Sequence, residues 1–105
     1  MLFIVFNNGM YGTIRMHQER DYPTRVSGTT LHNPDFAALA VAYGAYGAAV
    51  DSTAGFDAAL QQALAHIEQT GLPALIELRY DGNLLTPNAT LEAIRQSALQ
   101  RKNTA

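Results

Sequence analysis

The sequence predicts an α/β protein built on a partial parallel sheet with flanking helices. Leu2-Phe3-Ile4-Val5-Phe6 alternates too little for a half-exposed strand and reads as a strand buried on both faces, and Ala74-Leu75-Ile76-Glu77-Leu78 reads as a second strong strand. Helical patterns and a short small-residue strand lie between them. Strands alternating with helices favour parallel pairing through right-handed crossovers. The order reads β, irregular α, α, β, α, β, α, and three strands make only part of a sheet.

The first strand, residues 2–6, ends abruptly in Asn7-Asn8-Gly9. Residues 11–21 are mixed and partly helical, and Asp21 to Asn33 is irregular, with Pro23, Ser27, Gly28, Thr29 and Thr30 as turn chemistry. Asn33-Pro34 predicts a helix start, with Phe36, Leu39, Ala40 and Tyr43 at helical spacing and Gly44 as the stop. Ala45 to Val50 is the small-residue strand. Phe56, Leu60, Ala63, Leu64 and Ile67 define an amphipathic helix closed by Gly71 and Pro73. After the second strong strand, Asp81 to Asn88 reads as a loop. Thr90 caps a last helix carrying Leu91, Ile94, Ala98 and Leu99, and residues 101–105 read as a frayed tail.

Composition narrows the function classes. The 105 residues are 48% hydrophobic and 15% charged with a formal net charge of −2, and the two signs are interspersed. That is a globular domain without the basic footprint of a nucleic-acid or membrane-surface partner. The absence of cysteine excludes thiol catalysis, disulfides and cysteine-ligated metals. No run is long enough to span a membrane, and no basic segment or small-residue cleavage site marks a signal peptide. A cytoplasmic setting is expected.

Asn7-Asn8-Gly9-Met10-Tyr11-Gly12-Thr13 is the chemically richest stretch. Asn-Gly is a strong hairpin signal, so Asn8-Gly9 has a plain reading as a turn into a second strand. Met10 to Arg20 lacks the alternation that strand would need. In the alternative, the segment is a ligand turn at a strand end. Carboxamide and carbonyl oxygens suit a hard cation such as Mg²⁺, glycines allow close approach to an anion, and a following helix start presents free N–H groups to phosphate.

Asn7 through Glu19 resembles the second half of the thiamine-diphosphate motif of the acetolactate synthase, benzoylformate decarboxylase and pyruvate decarboxylase superfamily. Arg25-Val26-Ser27-Gly28-Thr29, Asn33-Pro34-Asp35-Phe36-Ala37-Ala38-Leu39-Ala40 and Pro73-Ala74-Leu75-Ile76-Glu77-Leu78 extend the resemblance along nearly the whole chain. It implies that residues 1–100 are the C-terminal portion of a three-layer α/β/α thiamine-diphosphate-binding domain. Asn8 through its side-chain oxygen and Met10 through its carbonyl would ligate Mg²⁺. Backbone N–H groups around Tyr11 and Gly12 would approach the diphosphate. Thr13 and Ile14 would lie toward the thiazolium and substrate, and Asn7 would fix the turn.

The implied parent enzyme decarboxylates a 2-oxo acid or ligates the resulting activated aldehyde, and works as a homo-oligomer. The Gly-Asp-Gly half of the motif and the activating glutamate of such enzymes have no counterpart among these residues, so no catalytic residue is assigned and the chain alone is expected to be inactive. Two other readings stand beside this one: a non-catalytic truncated remnant or interaction module, and a flavodoxin-like mononucleotide-binding module. His17 reads as a partly exposed structural histidine, with a substrate-facing role as its alternative, and His32 and His66 read as surface residues. Arg15, Glu19, Arg20 and Asp21 read as a solvated charged face. Tyr43 and Tyr46 read as core, and Ser27-Gly28-Thr29 as either an active-site loop or a surface turn.

Overall fold

The computed structural model describes residues 1–104. The chain divides into two compact units, each assembled from two segments: Met1–Asn7 with Asn33–Tyr80, and Asn8–His32 with the chain from Asp81 onward.

The first unit is a three-stranded parallel sheet, β1 (Leu2–Asn7), β2 (Tyr46–Val50) and β3 (Ala74–Arg79), in the order β1-β3-β2. β3 lies at the centre. It pairs Ala74 with Leu2 on one side and with Tyr46 on the other. Its Ala74, Ile76 and Glu77 are buried. Strand alternation sends Ala74, Ile76, Ala48 and Val50 to one face, where Ala59 and Ala63 of α3 (Thr53–Thr70) complete the core. On the opposite face α2 (Phe36–Ala42) rides close to the backbone of β2. A Cβ at Gly47 would overlap the Ala37 carbonyl oxygen and lie 2.9 Å from its carbon. The result is an α/β/α layering, with the partial parallel sheet and flanking helices that the sequence predicts.

Caps explain the helix limits. Ser52 Oγ accepts the Gly55 amide at 3.1 Å to start α3, and Gly71 ends it in the left-handed region at φ 71°. α2 starts later than Asn33-Pro34 suggests. Asp35 is its N-cap, accepting the Ala38 amide at 3.0 Å, and Asn33 is engaged elsewhere. Nor is β1 buried on both faces. It is an edge strand, leaving Phe3, Ile4 and Phe6 between 40% and 69% exposed. Tyr43 lies outside the core at 85% exposure, while Tyr46 is half-buried with its hydroxyl 2.9 Å from Gln62 Oε1.

The second unit packs α1 (Gly12–Asp21) against α4 (Leu91–Thr104), burying Leu91 and Ala98. The expected loop at 81–88 contains a strand. β4 (Leu84–Thr86) pairs antiparallel with β5 (Ala89–Thr90), leading directly into α4. Thr90 caps that helix through the Ala93 amide at 3.1 Å. The residues read as a tail are helical through Thr104, because Arg101 Nη2 donates to the Arg20 carbonyl at 3.2 Å and Thr104 Oγ1 to Gln100 at 3.1 Å. Ala105 lies outside the described residues. Among the described residues no helix is long and apolar enough to cross a membrane.

Candidate functional site

From Asn8 the chain makes a tight turn rather than a hairpin into a second strand. The Met10 amide donates to Asn8 Oδ1 at 3.2 Å, and Gly9 takes φ +73°, a conformation that favours glycine. The turn is stitched to residues 29–31: the Tyr11 amide donates to the Thr29 carbonyl at 2.9 Å and the Leu31 amide to the Gly9 carbonyl at 2.8 Å. Between these bonds Met10 and Thr30 form an isolated antiparallel bridge. The second glycine is also demanded by space, since a Cβ at Gly12 would come within 2.9 Å of Asn8 Nδ2.

α1 then begins at Gly12 with Tyr11 as its N-cap. No side chain caps it, and its first turn carries no acidic residue. The positive end of the helix dipole is therefore not neutralised by a protein carboxylate in its own first turn. Thr13 is exposed beside it, Tyr11 is 52% exposed and Ile14 55%. The six residues expected to form the site, Asn8, Met10, Tyr11, Gly12, Thr13 and Ile14, thus form one continuous turn and helix start. The Tyr11 amide itself is already engaged by Thr29.

Asn7, in the first unit, sits in a different environment. Its Nδ2 donates to Glu77 Oε2 at 3.0 Å, and its Oδ1 accepts from Asn33 Nδ2 at 2.8 Å. Both ends of the carboxamide are occupied, as a turn-fixing residue requires. Glu77, 1% exposed, also accepts from the Phe36 amide at 3.2 Å and from Arg79 Nε at 2.7 Å. Burial pushes its pKa upward, but the hydrogen bonds from Arg79 and Asn7, the Arg79 charge and the Phe36 amide outweigh it and hold the carboxyl below its ordinary value.

The charged face read along α1 is only partly solvated. Asp21 and Arg20 are exposed and pair with each other, whereas Glu19 is 1% exposed. Arg95 of α4 grips both Glu19 oxygens, Nε to Oε2 and Nη2 to Oε1, each at 2.9 Å. The Thr24 amide adds a third donor at 3.2 Å. No local pattern in the sequence links this pair, since neither residue lies in an apolar pattern and they are 76 positions apart.

The remaining candidates do not converge. His17 and His32 are exposed, and His66 is half-buried with its ring 5.8 Å from that of Tyr46. Among the described residues no three His, Asp or Glu side chains group as a metal site. Ser27-Gly28-Thr29 folds back on α1: Gln18 Nε2 donates to the Ser27 carbonyl at 2.8 Å, and Thr29 Oγ1 donates to Gln18 Oε1 at 3.0 Å. In the first unit an open, mainly apolar cavity of about 500 Å³ lies at the carboxyl end of the strands, bordered by Phe6, Val50, Phe56, Leu78 and Tyr80.

A carboxamide oxygen and backbone carbonyls beside an uncapped helix start are the types of partner that a hard divalent cation and a phosphate group accept. The residues present fit such a group. Glycine at position 12 leaves the Asn8 carboxamide uncrowded on its Nδ2 side, where a Cβ would lie 2.9 Å away. A family model described as thiamine pyrophosphate enzyme, C-terminal TPP binding domain, matches residues 1–78 and so includes this turn.

Proposed function

Because this chain belongs to the thiamine pyrophosphate enzymes through their C-terminal TPP-binding domain, we propose that Asn8–Ile14 holds the Mg²⁺-bound diphosphate of the cofactor. Asn8 through Oδ1 and Met10 through its carbonyl ligate the metal. The Gly12 and Thr13 amides at the start of α1 meet the diphosphate, favoured by the helix dipole. Tyr11 contributes as the N-cap that sets the direction of α1, while Thr13 and Ile14 present exposed side chains for the thiazolium and substrate. Asn7, saturated by Glu77 and Asn33, stays out of the metal sphere.

When bound, the cofactor supplies an electron sink for cleaving the bond between a carboxylate and a carbonyl carbon. The parent activity under this reading is decarboxylation of a 2-oxo acid, or ligation of the activated aldehyde, of the acetolactate synthase, benzoylformate decarboxylase and pyruvate decarboxylase kind. The assembly is a homo-oligomer working in the cytoplasm. The 105 residues contain no Gly-Asp-Gly triplet, so the chain alone binds rather than turns over.

The match over residues 1–78 carries the reading, supported by the Asn8 turn that opens into an uncapped helix. Calorimetric titration with thiamine diphosphate tests it. Binding is expected only with Mg²⁺ present, and Asn8→Ala is expected to weaken it about tenfold or more, equivalent to ~1.4 kcal/mol. Binding that ignores Mg²⁺ would point to a mononucleotide-type phosphate site. No binding under either condition overturns the reading.

A further inference from the structure

A second turn, remote in sequence, is packed against the Asn8–Met10 turn within the same unit. Asp81-Gly82-Asn83 is self-braced: Asp81 Oδ1 accepts the Asn83 amide at 2.9 Å, and the Asp81 carbonyl accepts the Leu84 amide at 3.1 Å. Its far side is fastened to the start of α4. Asn83 Oδ1 accepts the Glu92 amide, and the Asn83 carbonyl accepts the Leu91 amide, both at 2.9 Å.

The near side is Gly82. A Cβ at this position would overlap Met10 Cε, lie 3.1 Å from Met10 Sδ and 3.2 Å from the Asn8 carbonyl oxygen. Space rather than backbone conformation favours the glycine: its φ lies outside the left-handed region, and a side chain would have to displace the end of Met10 and press on the Asn8 carbonyl. Its bare backbone lets a turn anchored on α4 close directly over the residues read as metal ligands. α4 is held to α1 by the same logic, through the Arg95 pair with buried Glu19. Gly82 and α4 both lie beyond residue 78, where the family match ends.

We propose that Gly82 is a positioning residue for the cofactor turn: by seating the Asp81–Asn83 turn against Met10, it fixes the conformation in which Asn8 and Met10 present their oxygens. The proposal rests on the cofactor reading above. It assigns to the segment after residue 78 a share in cofactor binding without contact to the cofactor.

The test compares the wild-type chain, Gly82→Ala and Gly82→Val. Two quantities are read: hydrogen exchange of the Tyr11 and Leu31 amides without ligand, and thiamine diphosphate affinity at saturating Mg²⁺. Gly82→Val is expected to speed exchange at those two amides about tenfold and weaken binding about tenfold, leaving Ile76 and Ala98 protected. Gly82→Ala falls between, because the Met10 thioether can swing aside. Faster exchange confined to those two amides is a pattern that a general stability role would not produce.

Unchanged exchange and affinity in Gly82→Val overturn the proposal. So does a loss of protection spread evenly to Ile76 and Ala98. If Gly82→Val does not fold, Gly82→Ala alone decides by the same two readouts. A wild-type chain that takes up no cofactor defeats the functional reading instead, an outcome distinct from any seen in the Gly82 variants.

Discussion

Replacing Arg95 by methionine removes the main partner of a buried carboxylate while keeping the aliphatic stem. Glu19 would then retain the Thr24 amide at 3.2 Å and Arg15 Nε at 3.9 Å as its neighbours. Breaking one side of a buried pair costs ~3–5 kcal/mol. Arg95 is 27% exposed and Arg15 remains nearby, so the expected loss is about 2–3 kcal/mol at pH 7. With a urea dependence of ~1–3 kcal/mol per molar, the midpoint should fall by about 0.7–3 M.

The pH dependence supplies a second, independent reading. Arg95, above all through its hydrogen bonds, holds the Glu19 carboxyl below its ordinary value of 4.5, against the upward push of burial. A lowered folded-state pKa means that this stabilisation is complete above 4.5 and is lost as the pH falls through the lowered value. In Arg95→Met the carboxylate has lost its counter-charge and takes up its proton more readily, which relieves the buried charge. The gap between wild type and variant, followed by circular dichroism in urea at pH 7 and pH 4, should therefore narrow at pH 4. A penalty under about 0.5 kcal/mol, the range of an exposed pair, or one equal at both pH values, would refute the argument.

Three other outcomes follow from the same geometry. Gly47→Ala places a methyl into the Ala37 carbonyl, where backbone must move, and should cost ~3 kcal/mol or more or abolish folding, as thermal denaturation would reveal. Gly71→Ala meets no neighbour within 4 Å but must hold φ +71°, so it should lose only about 1 kcal/mol, a small fall in midpoint temperature. The chain should self-associate through the exposed edge strand bearing Phe3, Ile4 and Phe6, and Phe6→Lys should shift sedimentation toward the monomer; a wild-type monomer at high concentration would count against this.

What was legible in the sequence was whatever local pattern controls. β3 is a mainly apolar run, interrupted by Glu77 and ended by Arg79, and it lies at the centre of the sheet, while α3 carries its own stop signal in Gly71. The turn at Asn8-Gly9 was legible too, because Met10 to Arg20 offers no strand for a hairpin. What escaped depends on distant partners. Glu19 looks solvated beside Arg15, Arg20 and Asp21, and only Arg95 makes it a buried ion. Asn33 has the chemistry of a cap but serves Asn7, leaving the cap to Asp35. The strands Leu84–Thr86 and Ala89–Thr90 are too short to set up an alternation, and Gly82 looks like any turn glycine until Met10 is placed against it.

The central place of β3 also governs how the sheet can come into being on the ribosome. Both other strands precede it in the chain, and neither pairs with the other. During synthesis from the N-terminus, β1 and β2 have no partner within this sheet until Ala74–Arg79 emerges, and one late strand then satisfies both at once. Contacts so remote in sequence close slowly, and until they close the apolar strand Leu2-Phe3-Ile4-Val5-Phe6 is open to chaperones and to other nascent chains.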